Sequence, residues 1–258
     1  MPRRFIDLSI AVENDIASDP PIMLPKVKYL SHQDTPEQLQ MMFPGLEKED
    51  LPGGDGWAVE QLEISTHNGT HLDAPYHHHS TMDGGKRAIT IDEVPLEWCY
   101  GNGVKLDFRQ FEDGYIVQPS DIDNELKRIG HTIEKGDIVV INTSAAARYG
   151  YDDYLDKGCG MGREATLHLT QQGVRVTGTD AWSWDAPFSI TAKRFAETND
   201  PSIIWEGHRA SMEIGYCHIE KLTNLDQLPP TGFIISCFPY KIKAASAGFI
   251  RAVAIFEE

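Results

Sequence analysis

The sequence predicts a mixed, β-rich α/β fold: a mixed sheet or barrel flanked by a few helices. Three observations lead there. Strand-like segments recur along the whole chain, and both ends are β-rich. Twice, over 120–143 and 163–179, a helical pattern stops at a glycine and a β-branched run follows at once. Those helix-to-strand steps are α/β in character, whereas the β-rich ends argue against a doubly wound sheet. The 258 residues suffice for one large core, and no repeat or linker divides them, so residues 1–258 read as one domain.

Taken in order, RFIDLSIA (4–11) alternates well enough for a strand. Residues 12–56 are irregular and rich in Pro and Gly, with one short helical candidate at 35–43, where Thr35 can cap. GWAVEQLEIST (56–66) reads as a strand leading straight into a histidine cluster. Further strands are expected at 102–108, 137–143, 174–179, 232–238 and 248–256. In SDIDNELKRIG (120–130), Ser120 and Asp123 resemble a capping box, Ile122, Leu126 and Ile129 form one apolar stripe, and Gly130 stops the helix. REATLHLTQQG (163–173) ends in the same way at Gly173.

Composition removes several classes of function. Acidic residues outnumber basic ones 39 to 23, a formal charge of −16. That excess repels phosphate backbones, so nucleic acid is not an expected partner, and the charge reads as solubility. No apolar run reaches membrane-spanning length. The N-terminal stretch has two arginines, but Asp7, Glu13 and Asn14 interrupt any signal-peptide core, so a cytoplasmic location is expected. Cys99, Cys159, Cys217 and Cys237 are scattered and form no C-x-x-C pair, which suits reduced, buried thiols.

The stretch HNGTHLDAPYH (67–77) packs three histidines and an aspartate into eleven residues, in a chain with only 10 histidines. A polar loop tolerates single histidines, and most have structural or solvated roles. Here Gly69 and Pro75 argue against a regular helix, while a glycine-bearing turn can aim several side chains at one point. His67, His71 and Asp73 give two imidazoles and a carboxylate, a set that suits Zn, Mn or Fe with positions left open for water and substrate. His77 is a further ligand or an acid/base, since an imidazole titrates near neutral pH. His78 and His79 read as solvated neighbours.

These eleven residues match H-x-G-T-H-x-D-x-P-x-H at all seven specified positions. The chain therefore resembles the cyclase family, which includes bacterial kynurenine formamidase and isatin hydrolase. The resemblance runs from about residue 5 to the C-terminus, is weakest over 12–56, and includes GHRASMEIGYCHIEKLTNLDQLP (207–229) and SAGFIRAVAIFE (246–257). It implies a swivelling β/β/α architecture, a homo-oligomer, and a centre of one or two divalent ions, Zn or Mn. His67, His71 and Asp73 would be its first ligands. His208 and Glu220, unremarkable alone, would help hold that ion or a second one, with Asp73 bridging.

The implied reaction is hydrolysis of an amide C–N bond in a small aromatic substrate, either an aryl formamide such as N-formylkynurenine or a cyclic amide such as isatin. His77 would take a proton from water and return it to the amide nitrogen. Trp57, Tyr76, and Trp182 or Trp184 in DAWSWDAPF are candidates to stack on the ring. WSWD resembles the isatin-hydrolase branch, while Glu220 keeps a formamidase-like ligand set. Two other readings compete. His77 and His79 have the H-x-H spacing of an amidohydrolase barrel, but Pro75 sits where its strand would run and the chain lacks eight βα units. A member of the same fold that binds metal or ligand without catalysis would keep His67, His71 and Asp73. No G-x-S-x-G elbow supports a serine hydrolase.

Overall fold

The computed structural model describes residues 2–257. Among them, nine strands form one large sheet: β1 (Arg3–Asp7), β2 (His71–Asp73), β3 (Tyr100–Asp107), β4 (Ile138–Asn142), β5 (Val176–Thr179), β6 (Cys217–Glu220), β7 (Phe233–Ser236), β8 (Ala247–Phe249) and β9 (Val253–Glu257). Their spatial order is β1-β9-β7-β3-β4-β5-β6-β2-β8. The central run from β3 to β6 is parallel, and every pairing outside it is antiparallel. The sheet curls into a half-barrel. Ser9, just past β1, bridges to Leu222, just past β6, and the Thr223 N–H donates to the Leu8 carbonyl at 3.0 Å. The mixed, β-rich expectation is met.

Six helices accompany the sheet among the described residues: α1 (Pro36–Met42), α2 (Pro75–His78), α3 (Pro119–Ile129), α4 (Arg163–Gln171), α5 (Phe188–Thr198) and α6 (Glu206–Arg209). β4 shows why a parallel strand reads as an unbroken apolar run: all five residues are buried, because both faces are covered. Ile138 and Val140 face one core inside the curl with Leu72, Ile219 and Ala252. Val139 and Ile141 face a second core with Ile122 and Leu126 of α3 and Leu167 and Leu169 of α4.

Several local expectations are corrected. Residues 56–66 do not run into the main sheet. Their strand, Val59–Glu63, pairs with Lys26–Leu30 in a separate exposed ribbon, so the stretch 12–56 holds a strand that its Pro and Gly content hid. α3 begins at Pro119 and is boxed by Gln118 and Asp121, whose carboxylate accepts from the Gln118 N–H at 2.8 Å, rather than by Ser120 and Asp123. The Thr35 hydroxyl donates to the Trp57 carbonyl instead of capping α1. The apolar run 248–256 is two strands: β8 pairs with β2, then the chain turns and β9 pairs with β1 and β7. An apolar run marks burial but cannot show that the partner changes within it.

Candidate metal centre

β2 and β6 lie side by side and antiparallel, with His71 opposite Glu220 and Asp73 opposite His218. Side chains alternate along a strand, so Leu72 and Ile219 enter the core and the other four residues share the opposite face. β8 closes the far side of β2, placing Ala247 opposite Asp73. The turn before β2 depends on Gly69, which has φ +62°; an added Cβ there would sit 2.6 Å from a Val12 methyl. That turn brings His67 to Asp73 (Nδ1–Oδ1 3.0 Å) and lets the His71 Nδ1–H donate to the Gly69 carbonyl at 3.0 Å. His71 Nε2 is thereby left with its lone pair facing the carboxylates.

Distances within the cluster are short. His71 Nε2 lies 3.3 Å from Asp73 Oδ1 and 3.5 Å from Glu220 Oε2. His218 Nε2 lies 3.1 Å from Asp73 Oδ2 and 3.3 Å from Glu220 Oε1. His208, on α6, brings Nε2 to 3.8 Å from Glu220 Oε1. Its Nδ1–H donates to Asp185, which also accepts the Gly207 and His208 backbone N–H groups at 2.8 and 3.1 Å. A carboxylate behind an imidazole fixes ring and tautomer so that the other nitrogen points into the centre.

Burial makes this arrangement informative. Both oxygens of Asp73, His71 Nε2 and both ring nitrogens of His218 are buried without an aligned hydrogen bond. Native interiors rarely leave such groups unpaired, because each carries a desolvation cost of about 1–3 kcal/mol. One cation at their point of convergence would satisfy several of them, and the donor set of imidazole and carboxylate suits Zn or Mn. The described residues thus fit a divalent ion.

The charge state agrees with the geometry. Burial pulls the Asp73 carboxyl up, but the four imidazoles around it, His77, His71, His218 and His67, hold it well below the usual range. Glu220, also opposed by burial, is held at about 2, chiefly by its His218 contact. Burial, only partly offset by Asp73, pushes His77 down to about 4, so it is neutral at pH 7.

His77 stands on α2, one residue beyond Tyr76, with Nε2 3.8 Å from Asp73 Oδ2 and its ring 4.1 Å from that of His67. It lines a cavity of about 230 Å³ together with His67, Trp182, Phe188, Trp205 and Lys221. Trp205 stacks on His208 (4.5 Å between ring centres, 10° between planes) and meets His77 edge-on at 5.0 Å. Under the cavity, fully buried Lys221 pairs with Asp19 and donates to the His67 carbonyl at 3.0 Å; Asp19 also accepts the Trp182 indole N–H at 3.0 Å.

The structure therefore brings together His67, His71, Asp73, His77, His208 and Glu220. It does not bring Trp57 or Tyr76 to the cavity. Trp57 donates its indole N–H to Gln38 on α1, and Tyr76 is nearly half exposed. His78 corrects its solvated reading: it is buried, with its ring parallel to His218 at 4.7 Å. Sequence reasoning missed His218 and Asp185. His218 had a local signal, since it lies two residues before Glu220 and alternate residues of a strand share a face. Asp185 had none, because only folding sets it behind His208.

A curled mixed sheet bearing a buried imidazole–carboxylate cluster beside an aromatic cavity defines a fold with a metal-hydrolase type of site. The Cyclase family model ("Putative cyclase") matches residues 6–186, and the chain belongs to that family. It is 28% identical to the kynurenine formamidase of Salinibacter ruber over 192 residues, covering 74% of this chain and 77% of that one. The kynurenine formamidase of Maricaulis maris is 28% identical over 195 residues, 76% and 79% of the two chains. Among solved structures, isatin hydrolase A from Labrenzia aggregata, bound to benzyl benzoate, superposes with a TM-score of 0.75 at 24% identity, covering 99% of this chain and 94% of that one. Isatin hydrolase A from Ralstonia solanacearum gives 0.75 at 22% identity, with 99% and 92% covered.

Proposed function

We propose that this chain is a metal-dependent amide hydrolase acting on a small aromatic substrate, an aryl formamide or a cyclic amide. The observation that carries this reading is the buried, unpaired Asp73 carboxylate, which sits within metal-ligand reach of His208, His218 and Glu220 on one side and of His67 and His77 on the other, beside a cavity that His77 lines. The relatives named above, formamidases by sequence and isatin hydrolases by fold, support it.

His67, His71, Asp73, His208 and Glu220 would hold the ion, zinc or manganese. A divalent cation there acidifies water toward neutral pH and polarises a carbonyl. The chain's own residues do the rest. His77, neutral and at the cavity wall, takes the proton of the attacking water on its ring nitrogen. It then delivers that proton to the amide nitrogen as the C–N bond breaks, since an unprotonated amine leaves poorly. Trp182, Phe188 and Trp205 supply flat apolar surface for a planar ring.

Two finer readings accompany this one. The N-terminal arm exposes Ile22, Tyr29, Met41, Met42, Phe43 and Leu62, an apolar surface suited to a second copy of the chain, in keeping with a homo-oligomer. Four buried free cysteines suit a reducing compartment such as the cytoplasm, and no helix among the described residues is long and apolar enough to cross a membrane. The deciding experiment pairs metal analysis with hydrolysis assays on formanilide, N-formylkynurenine and isatin. Stoichiometric metal with turnover on at least one is expected. Stoichiometric metal with no turnover on any amide would favour a binding protein of the same fold.

A further inference from the structure

None of the eleven residues of α5 is buried, yet the helix carries an apolar stripe. Phe188, Ala192 and Phe195, with Thr191 among them, fall at the i, i+3, i+4, i+7 spacing that sets side chains on one face. Such a stripe ordinarily packs on a core. This one faces a second cavity, of about 280 Å³, bounded on its other side by Ala186, Ile204 and Trp205. The helix is moored by other residues: Arg194 donates to the Gly114 carbonyl at 2.7 Å, and the Ser189 hydroxyl to Asp156 at 2.5 Å.

This cavity adjoins the one beside the metal centre. Phe188 and Trp205 belong to the walls of both, so the two spaces are separated by the thickness of side chains. The partition is lightly held. Phe188 is 47% exposed and meets Trp182 edge-on at 5.3 Å. Trp205 has left-handed backbone (φ 57°), which is rare for a bulky residue. Its buried indole N–H has no hydrogen-bond partner, so stacking on His208 sets the plane of the ring. Nor does the cavity offer a charge to a ligand. Asp185 spends its oxygens on Gly207 and His208, and the Thr191 hydroxyl donates to the Ala186 carbonyl at 3.4 Å.

We propose that the cavity under α5 is a substrate subsite, and that the substrate is an aromatic amide carrying a neutral apolar substituent, which passes between Phe188 and Trp205 to lie against Ala192 and Phe195. The inference rests on the amide reading above and names the substrate class within it. Size supports the division. A cavity of about 150 Å³ holds a benzene ring. The roughly 230 Å³ beside His77 therefore takes one ring with its amide, and the roughly 280 Å³ beyond takes a butyl chain or a second ring. Moving such a group out of water strengthens binding by about tenfold to hundredfold. An ionised group there would find no partner. Phe188 and Trp205 are thus the residues that set specificity: they admit the substituent and keep the reacting ring on the His77 side.

The test uses the manganese-loaded full-length protein and the variant Ala192→Trp, which fills the cavity from an exposed position on α5. Formanilide and isatin are compared with their n-butyl derivatives, one isomer for each free ring carbon. At least one isomer should exceed its parent by about tenfold or more in kcat/KM, and that ratio should fall by about fivefold or more in the variant. No isomer better than its parent, or a preference that the variant retains, overturns the proposal. Should Ala192→Trp not fold, as judged by circular dichroism, Ala192→Leu replaces it. If no amide of either series is turned over, the proposed reaction falls, and titration calorimetry with aniline and the butylanilines judges the subsite alone. A butylaniline that binds wild type about tenfold tighter than aniline, and the variant no tighter, upholds it. Equal affinities in the wild type, or a gain that the variant keeps, refute it.

Discussion

Asp185→Asn replaces one carboxylate oxygen with an NH2 group at a residue that touches the centre only through His208. In the wild type, Oδ1 accepts from the Gly207 N–H, while Oδ2 accepts from the His208 N–H and from His208 Nδ1–H. An asparagine has a single acceptor oxygen, so in either amide orientation an NH2 faces a backbone N–H. If the amide nitrogen faces the imidazole, it donates to Nδ1, and the ring proton moves to Nε2, the atom that should offer its lone pair beside Glu220. Loss of such an outer partner lowers metal affinity by about 10- to 100-fold. That corresponds to about 1.4–2.7 kcal/mol of binding free energy. The assay is a competitive chelator titration of the purified variant against wild type, with circular dichroism as a check on folding. A folded variant with unchanged affinity would refute the role of Asp185 as the group that sets the His208 tautomer.

Three further outcomes are expected. His77→Ala should lose amide turnover while keeping its metal content, as read by parallel metal analysis and kcat; loss of metal instead would make His77 a ligand. Lys221→Met should destabilise the fold by about 3–5 kcal/mol in urea unfolding, because it strands the buried Asp19 carboxylate, and adding Asp19→Asn should restore part of that loss. A double variant no more stable than Lys221→Met would refute the pairing argument. Asp180, fully buried and pushed up to about 7 by burial against its Thr143 hydrogen bonds, holds its proton in the folded state long after the unfolded chain has released it. The stability it contributes is therefore full below pH 4 and lost as pH rises toward 7. Asp180→Asn should gain melting temperature over wild type as pH rises through that window; a pH-independent difference would show that the carboxyl is already ionised.

The half-site on β2 was legible because its residues are contiguous: the glycine, both histidines and Asp73 fall within seven residues, and the strand alternation that presents His71 and Asp73 together is local. His208 and Glu220 were reached only by resemblance, since nothing near them in sequence marks either as a ligand. Asp185 was invisible for a related reason. Its role arises where the segment between β5 and α5 crosses the start of α6, a meeting of chain segments that no periodicity encodes. At the level of the fold, α3, α4 and β4 announced themselves through amphipathic stripe, terminal glycine and apolar run. β6 did not, because four residues with alternating polarity are too short to stand out. The ribbon strand Lys26–Leu30 was hidden by the opposite cause: it is exposed, so it carries no pattern of burial to read.

Where β2 sits in the sheet has a consequence for how the protein is made. Residues 71–73 are flanked by residues 217–220 on one side and 247–249 on the other. As the chain leaves the ribosome, the motif emerges well before either of its two neighbours is synthesised. Until then its imidazoles and carboxylate have no ladder to order them. Pairings so distant along the chain form slowly, so the nascent protein must pass through a stage in which this segment is exposed to solvent and to any free cation in its surroundings.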